Sequence, residues 1–160
     1  MSMNPKVPPY RMENAEGLSI EINRNGTIRR FAHKDIVINL FPGNEIEGAP
    51  ANLFLRCGGQ SPRVTPLLGP NSPSRFGMHQ EHFVAEGEFE GLRYQLQLVL
   101  ADDRPAWCWQ IQLENRSGEP VEYDLIYTQD LAIAPYGAIR LNEYYVSQYI
   151  DHEPLCHPGK

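Results

Sequence analysis

The sequence predicts an all-β fold, an antiparallel β-sandwich. Two residue patterns point to all-β: short runs with strict apolar–polar alternation, and turn signals between those runs. A third observation is the 14 prolines and 13 glycines spread through 160 residues, which leave little room for long helices.

The clearest alternation lies in GLRYQLQLVLA. There Leu92, Tyr94, Leu96, Leu98 and Leu100 share one face, and Arg93, Gln95 and Gln97 point the other way. After the turn ADDRPA comes WCWQIQLEN, with Trp107, Trp109, Ile111 and Leu113 on one face. After NRSGEP, the residues Val121, Tyr123, Leu125 and Tyr127 continue the pattern. The three runs are expected to form a meander with one buried face, placing Trp109 inside it.

The N-terminal half is less regular. LSIEI and TIRRFAH flank Asn23–Gly26, where Asn-Gly signals a hairpin. DIVINLF reads as a strand closed by Pro42-Gly43, followed by NLFLR and RVTPLL as shorter strands. Residues 58–78 are loop-rich, with four prolines and four glycines. In AIRLNEYYVSQYIDHE, Leu141, Tyr145 and Tyr149 would align on a helix, yet the Tyr, Val and Ile content favours a strand. A strand is expected. The resulting division is a leader over 1–15, the sandwich over 16–153 and a connector over 154–160 toward a further C-terminal part.

Composition narrows the function classes. A net charge of −6 with scattered basic residues argues against a nucleic-acid surface. The one adjacent basic pair, Arg29-Arg30, is expected on a solvated strand face. The N-terminus has no apolar signal core, and no run approaches the roughly 18 apolar residues that would span a membrane. Cys57, Cys108 and Cys156 are odd in number and form no CxxC pair, which fits reduced thiols and a cytoplasmic location.

Chemical motifs are sparse. His79 and His82 have a metal-like spacing, but residues three apart on one continuous strand face opposite sides, and nothing completes a ligand set. His152, Cys156 and His157 read as part of a connector. No GxSxG or phosphate loop is present. Glu86, Glu88 and Glu90 alternate along one face, expected to be solvated, and Asp102-Asp103 reads as a turn. The segment from Asn142 to His152 combines aromatic and hydrogen-bonding side chains more densely than a structural strand requires. The candidate site is therefore Tyr144, Gln148, Asp151 and His152, facing substrate or a neighbouring domain, with Tyr145 and Tyr149 packed inward.

DIVINLFPGNEIEGAPANLFLR, TPLLGPNSP, WCWQIQLENRSGEPVEYDLIYTQDLAIAPYGAIR and LNEYYVSQYIDHEPLCHP resemble the start of the glycoside-hydrolase family 94 phosphorylases. The likeness runs from about Tyr10 onward, and the Met and short polar leader before the first strand favour the soluble 1,2-β-oligoglucan branch over the cyclic glucan synthases, which carry this module after long membrane-associated regions. It implies an N-terminal mutarotase-like sandwich, larger in the family than these residues and so expected to be incomplete here, followed by a helical barrel that carries the catalytic acid. The family reaction is inverting phosphorolysis of a β-glucoside, with inorganic phosphate as co-substrate and no cofactor. Because phosphate attacks the anomeric carbon itself, one protein carboxyl suffices, where an inverting hydrolase needs two. No match to the catalytic motif falls within these residues, so no catalytic residue is assigned and the chain alone is expected to be inactive. The expected partners are a β-glucan or oligosaccharide, the helical barrel and a second copy of the chain. A carbohydrate-binding sandwich standing alone is the alternative.

Overall fold

The computed structural model describes residues 9–154, and in the helical segment the side chains of Glu143 and Tyr144 lie outside the description. Cys156, His157 and most of the connector fall outside as well. The described chain is antiparallel β throughout, with short helical turns only near its end.

The first six strands are β1 (Tyr10–Glu13), β2 (Leu18–Ile22), β3 (Ile28–His33), β4 (Ile36–Val37), β5 (Asn52–Cys57) and β6 (Arg63–Pro66). The next six are β7 (Arg75–His79), β8 (His82–Phe89), β9 (Leu92–Leu100), β10 (Trp107–Asn115), β11 (Tyr123–Thr128) and β12 (Ala134–Pro135). Three sheets result, ordered β1-β2-β3-β4-β12, β10-β9-β8-β7 and β11-β5-β6.

In the first sheet, β2 buries Leu18, Ile20 and Ile22 while Ser19 and Glu21 face outward and half-exposed. Its hairpin to β3 turns at Gly26, whose φ of +79° suits glycine alone, and a Cβ there would overlap the Phe76 ring. β1, which pairs with β2 from Tyr10 to Glu13, lies within the stretch read as a leader. DIVINLF yields only the two residues of β4. Beyond them the Asn39 side chain stands in for a strand, its Oδ1 accepting the Phe31 N–H at 2.7 Å and its Nδ2 donating to the Phe41 carbonyl at 3.0 Å.

The second sheet is built from local hairpins. Gln80-Glu81 and Glu90-Gly91 are two-residue turns with both residues at positive φ, the geometry that matches strand twist. β9 buries Leu92, Tyr94, Leu96 and Leu98, as its alternation requires. β10 pairs with β9 over nine consecutive residues without a bulge. Its Trp107, Trp109, Ile111 and Leu113 do face the core, but half-buried, because β10 is an edge strand.

The expected three-stranded meander is corrected at its third run. β11 leaves β10 and pairs with β5 in another sheet, placing Tyr123, Leu125 and Tyr127 opposite Cys57, Leu55 and Leu53. The seven-residue link closes on itself, Asn115 Nδ2 donating to the Glu119 carbonyl at 2.7 Å, so it carries the chain across the sandwich instead of folding it back. An Arg56–Asp124 ion pair and a Gly58 N–H to Glu122 carbonyl bond of 3.0 Å fix the crossing. β11 has no buried face: Tyr123, Leu125, Ile126 and Tyr127 are all exposed.

One core is shared by all three sheets. Ile20 and Phe31 from the first sheet meet Leu53 and Leu55 from the third and Phe83, Leu96 and Leu98 from the second. Each is at most 2% exposed, so truncating any of the leucines to alanine would cost roughly 2–5 kcal/mol.

The segment expected as a strand after Ala138 is helical. α1 (Tyr136–Leu141) and α2 (Glu143–Val146) are followed by a 3-10 turn over Ser147–Tyr149. The reason is packing: Ile139 on α1 and Val146 on α2 both join Ala32, Val37, Leu40 and Ala132 in a second small cluster. Tyr145 and Tyr149 are corrected too. They point to solvent at 60% and 86% exposure, with Leu141 at 84%.

Candidate functional site

The helical segment stands between two open grooves, and Asn142 sets its shape. Asn142 ends α1 by donating its N–H to the Ala138 carbonyl at 3.0 Å. Its own carbonyl starts α2 by accepting the N–H groups of Tyr145 and Val146 at 2.9 and 3.1 Å. The two helices therefore follow one another with no intervening loop.

On one side lies a groove of about 420 Å³ against the first sheet, lined by Glu21, Arg29, Arg30, Tyr136, Ile139 and Arg140. Arg29 and Arg30 are half-buried here, not on a solvated face as expected. Three guanidinium groups and one carboxylate give the groove a net positive character. The helical spacing of Tyr136, Ile139 and Arg140 (i, i+3, i+4) was the sequence signal for this grouping, and the strand reading concealed it.

On the other side is a shallower groove of about 690 Å³, lined by Ala138, Asn142, Tyr145, Val146, Tyr149 and Ile150. Flat aromatic faces beside an amide suit the apolar faces and hydroxyl edges of a sugar ring. Of the sequence candidates, Gln148, Asp151 and His152 are exposed along this end of the chain. The Tyr144 side chain lies outside the described residues.

The other sequence candidates do not assemble a site. His79 and His82 flank the Gln80-Glu81 turn as cross-strand partners, so their side chains leave the same face of the hairpin. The opposite-face argument fails because the two histidines are on different strands. Among the described residues, no group of three or more His, Cys, Asp and Glu is placed to hold a metal. Glu86 is exposed, while Glu90 pairs with Arg63 at 2.6 Å. Asp102 and Asp103 lie in the β9–β10 turn, where the Arg104 guanidinium hydrogen-bonds Asp103 and holds its carboxyl below the usual range.

Residues 21–160 match the family described as the SOGP N-terminal domain. The chain belongs to that family. A second likeness agrees with the phosphorylase resemblance. This SOGP N-terminal domain is 28% identical over 136 residues to a 1,2-β-oligoglucan phosphorylase of Listeria innocua serovar 6a. That match covers 84% of this chain and 12% of the relative, so the chain spans a small part of the relative's length. No helix among the described residues is long and apolar enough to cross a membrane. Within the domain, burial and the nearby Glu90 charge push the Cys57 thiol up, away from thiolate chemistry, while Cys108 is exposed on β10.

Proposed function

We propose that this domain is the non-catalytic N-terminal part of a carbohydrate phosphorylase acting on β-linked glucans or oligosaccharides. The match of residues 21–160 to the SOGP N-terminal domain family carries the reading, and the likeness to an enzyme named as an oligoglucan phosphorylase supports it. In this reading the longer protein works in the cytoplasm and performs inverting phosphorolysis with inorganic phosphate. A helical barrel supplies the catalytic acid. The sandwich supplies a surface, and the stretch from Tyr144 to His152 is its barrel- or substrate-facing part.

What supports that surface is exposure without structural need. Tyr145 and Tyr149 gain little burial within the domain, and Gln148, Asp151 and His152 are open to solvent. In the longer protein, Gln148→Ala and Asp151→Ala should each lower kcat/KM by about tenfold or more, about 1.4 kcal/mol of transition-state stabilisation. Melting temperature should stay unchanged. The 160-residue chain itself should release no sugar 1-phosphate from β-1,2- or β-1,4-glucosides with phosphate. Wild-type kinetics in both variants would remove the segment from the site, and turnover by the chain alone would overturn the non-catalytic reading.

The exposed tyrosines also favour a second reading, a carbohydrate-binding sandwich standing alone. Calorimetric titration of the chain with β-glucan oligosaccharides separates the two. Binding that Tyr145→Ala and Tyr149→Ala abolish supports the stand-alone module, whereas no binding supports the enzyme part.

A further inference from the structure

Arg29 and Arg30 line one groove, although consecutive residues of a regular strand leave opposite faces. The register of the β2–β3 hairpin explains it. Ile22 pairs with Ile28 and Glu21 with Arg30, so Arg29 has no counterpart on β2 and the strand bulges there. Bulges re-aim side chains, and this one turns both arginines into the groove of about 420 Å³. The helix α1 closes the other side, bringing Tyr136, Ile139 and Arg140.

Six arginines outside the groove each hold a carboxylate in an ion pair. Arg30 and Arg140 have no such partner among the described residues. Glu21 stands directly across from Arg30 and lines the same groove, yet the two form no ion pair. In a chain of net charge −6 these cations are not the by-product of a generally basic surface. A guanidinium that is half-buried and unpaired, as Arg30 is, gains more from an anion than a fully solvated one does.

We propose that this groove binds a phosphate monoester, with Arg30 from the sheet and Arg140 from the helix holding the phosphoryl oxygens. Each guanidinium fork takes two oxygens. A carboxylate has only two and a single charge, whereas a phosphate monoester offers three terminal oxygens and about −1.5 to −2 charges at pH 7. The rest of the groove suits the body that the phosphate carries. Its volume falls in the range of about 300–1,000 Å³ usual for small-molecule sites, more than a free phosphate fills. Val37, Leu40 and Ile139 give it an apolar floor, and the exposed Tyr136 ring can cover one face of a hexose-sized body. Glu21 repels the phosphoryl group but accepts a hydrogen bond from a hydroxyl at the other end.

The test is calorimetric titration of the 160-residue chain with glucose 6-phosphate, inorganic phosphate and glucose in turn. Glucose 6-phosphate should bind with a Kd of about 1 mM or tighter, inorganic phosphate at least about tenfold more weakly, and glucose not measurably. Arg30→Gln and Arg140→Gln should each weaken the ester at least about tenfold. Arg75→Gln, which removes an exposed arginine outside the groove, should change it less than about twofold. Circular dichroism melts check each variant, and the exposure of Arg140 keeps its variant folded whatever Arg30→Gln does. No binding of the ester, equal binding of inorganic phosphate or glucose, or equal losses in the Arg75 and groove variants each overturn the proposal. The phosphorylase reading would survive any of these, since it rests on the family match and not on this groove.

Discussion

Tyr94 and Gly87 are cross-strand partners in the second sheet, and their fit predicts a coupling that can be measured. Tyr94 is 1% exposed, and its hydroxyl lies 2.7 Å from Ser74 Oγ. Ser74 Oγ also donates to the Leu67 carbonyl at 2.7 Å, so this hydroxyl ties the 67–74 loop to β9. Gly87 leaves the room for it. A Cβ at Gly87 would overlap the Tyr94 hydroxyl and sit 2.7 Å from its Cζ and 3.2 Å from the Pro73 carbonyl. Tyr94→Phe removes one neutral hydrogen bond and leaves Ser74 with another partner, so it should cost about 1 kcal/mol. Gly87→Ala forces overpacking and should cost about 1–3 kcal/mol. When Gly87→Ala is combined with Tyr94→Phe, the hydroxyl overlap is gone while the Cζ and Pro73 contacts remain, so the rescue is partial. Urea unfolding of the four proteins in the cycle should give a coupling of at least about 0.5 kcal/mol in the direction of rescue. Additivity within about 0.3 kcal/mol would refute the inferred fit.

Two further outcomes concern the same sheet. Burial holds the Tyr94 hydroxyl above the ordinary tyrosine range, partly offset by its hydrogen bonds to Ser74 and Ser72. The unfolded chain therefore loses this proton near pH 10 while the folded chain still holds it. The associated stability is complete below about pH 10 and falls as pH rises toward the folded-state value. Urea midpoints above about pH 10 should fall less steeply in wild type's Tyr94→Phe variant than the tyrosine's own ionisation makes them fall in wild type; equal slopes would count against the assignment. Trp109 packs edge-on to Phe83 with centroids 6.5 Å apart, yet its buried Nε1 lacks a hydrogen-bond partner. Trp109→Ala should cost about 2–3 kcal/mol, below the fully buried range because the ring is half-exposed, while Trp109→Phe should cost under about 1 kcal/mol. Equal losses in denaturant melts would show that the indole N–H matters after all.

Local patterns made much of the fold legible. The β2–β3 and β9–β10 pairings follow from alternation plus an adjacent turn, and both are contacts between neighbours in sequence. β7 was hidden in a stretch rich in proline and glycine, although its two-residue turn to β8 separates His79 from His82. The departure of β11 was not legible, because its alternation matches that of β10 and period alone does not say which sheet a strand joins. The loop length and the Arg56–Asp124 pairing decide that, and the latter is a long-range contact. At the candidate site, the density of aromatic and polar groups was visible, but the strand reading reversed their directions. Ile139 and Val146 are the pair that packs inward, so Tyr145 and Tyr149 turn outward.

The crossing of β11 also divides the chain kinetically. β7 to β10 close through successive turns, whereas Leu55 must find Leu125 and Val37 must find Ala134, 70 and 97 residues away in sequence. Closing such loops costs entropy before any contact repays it. The four-stranded meander is thus expected to form first and the β5–β11 and β4–β12 pairings later. Until those late pairings form, the helical segment after β12 has no cluster to pack against, and the grooves beside it do not yet exist.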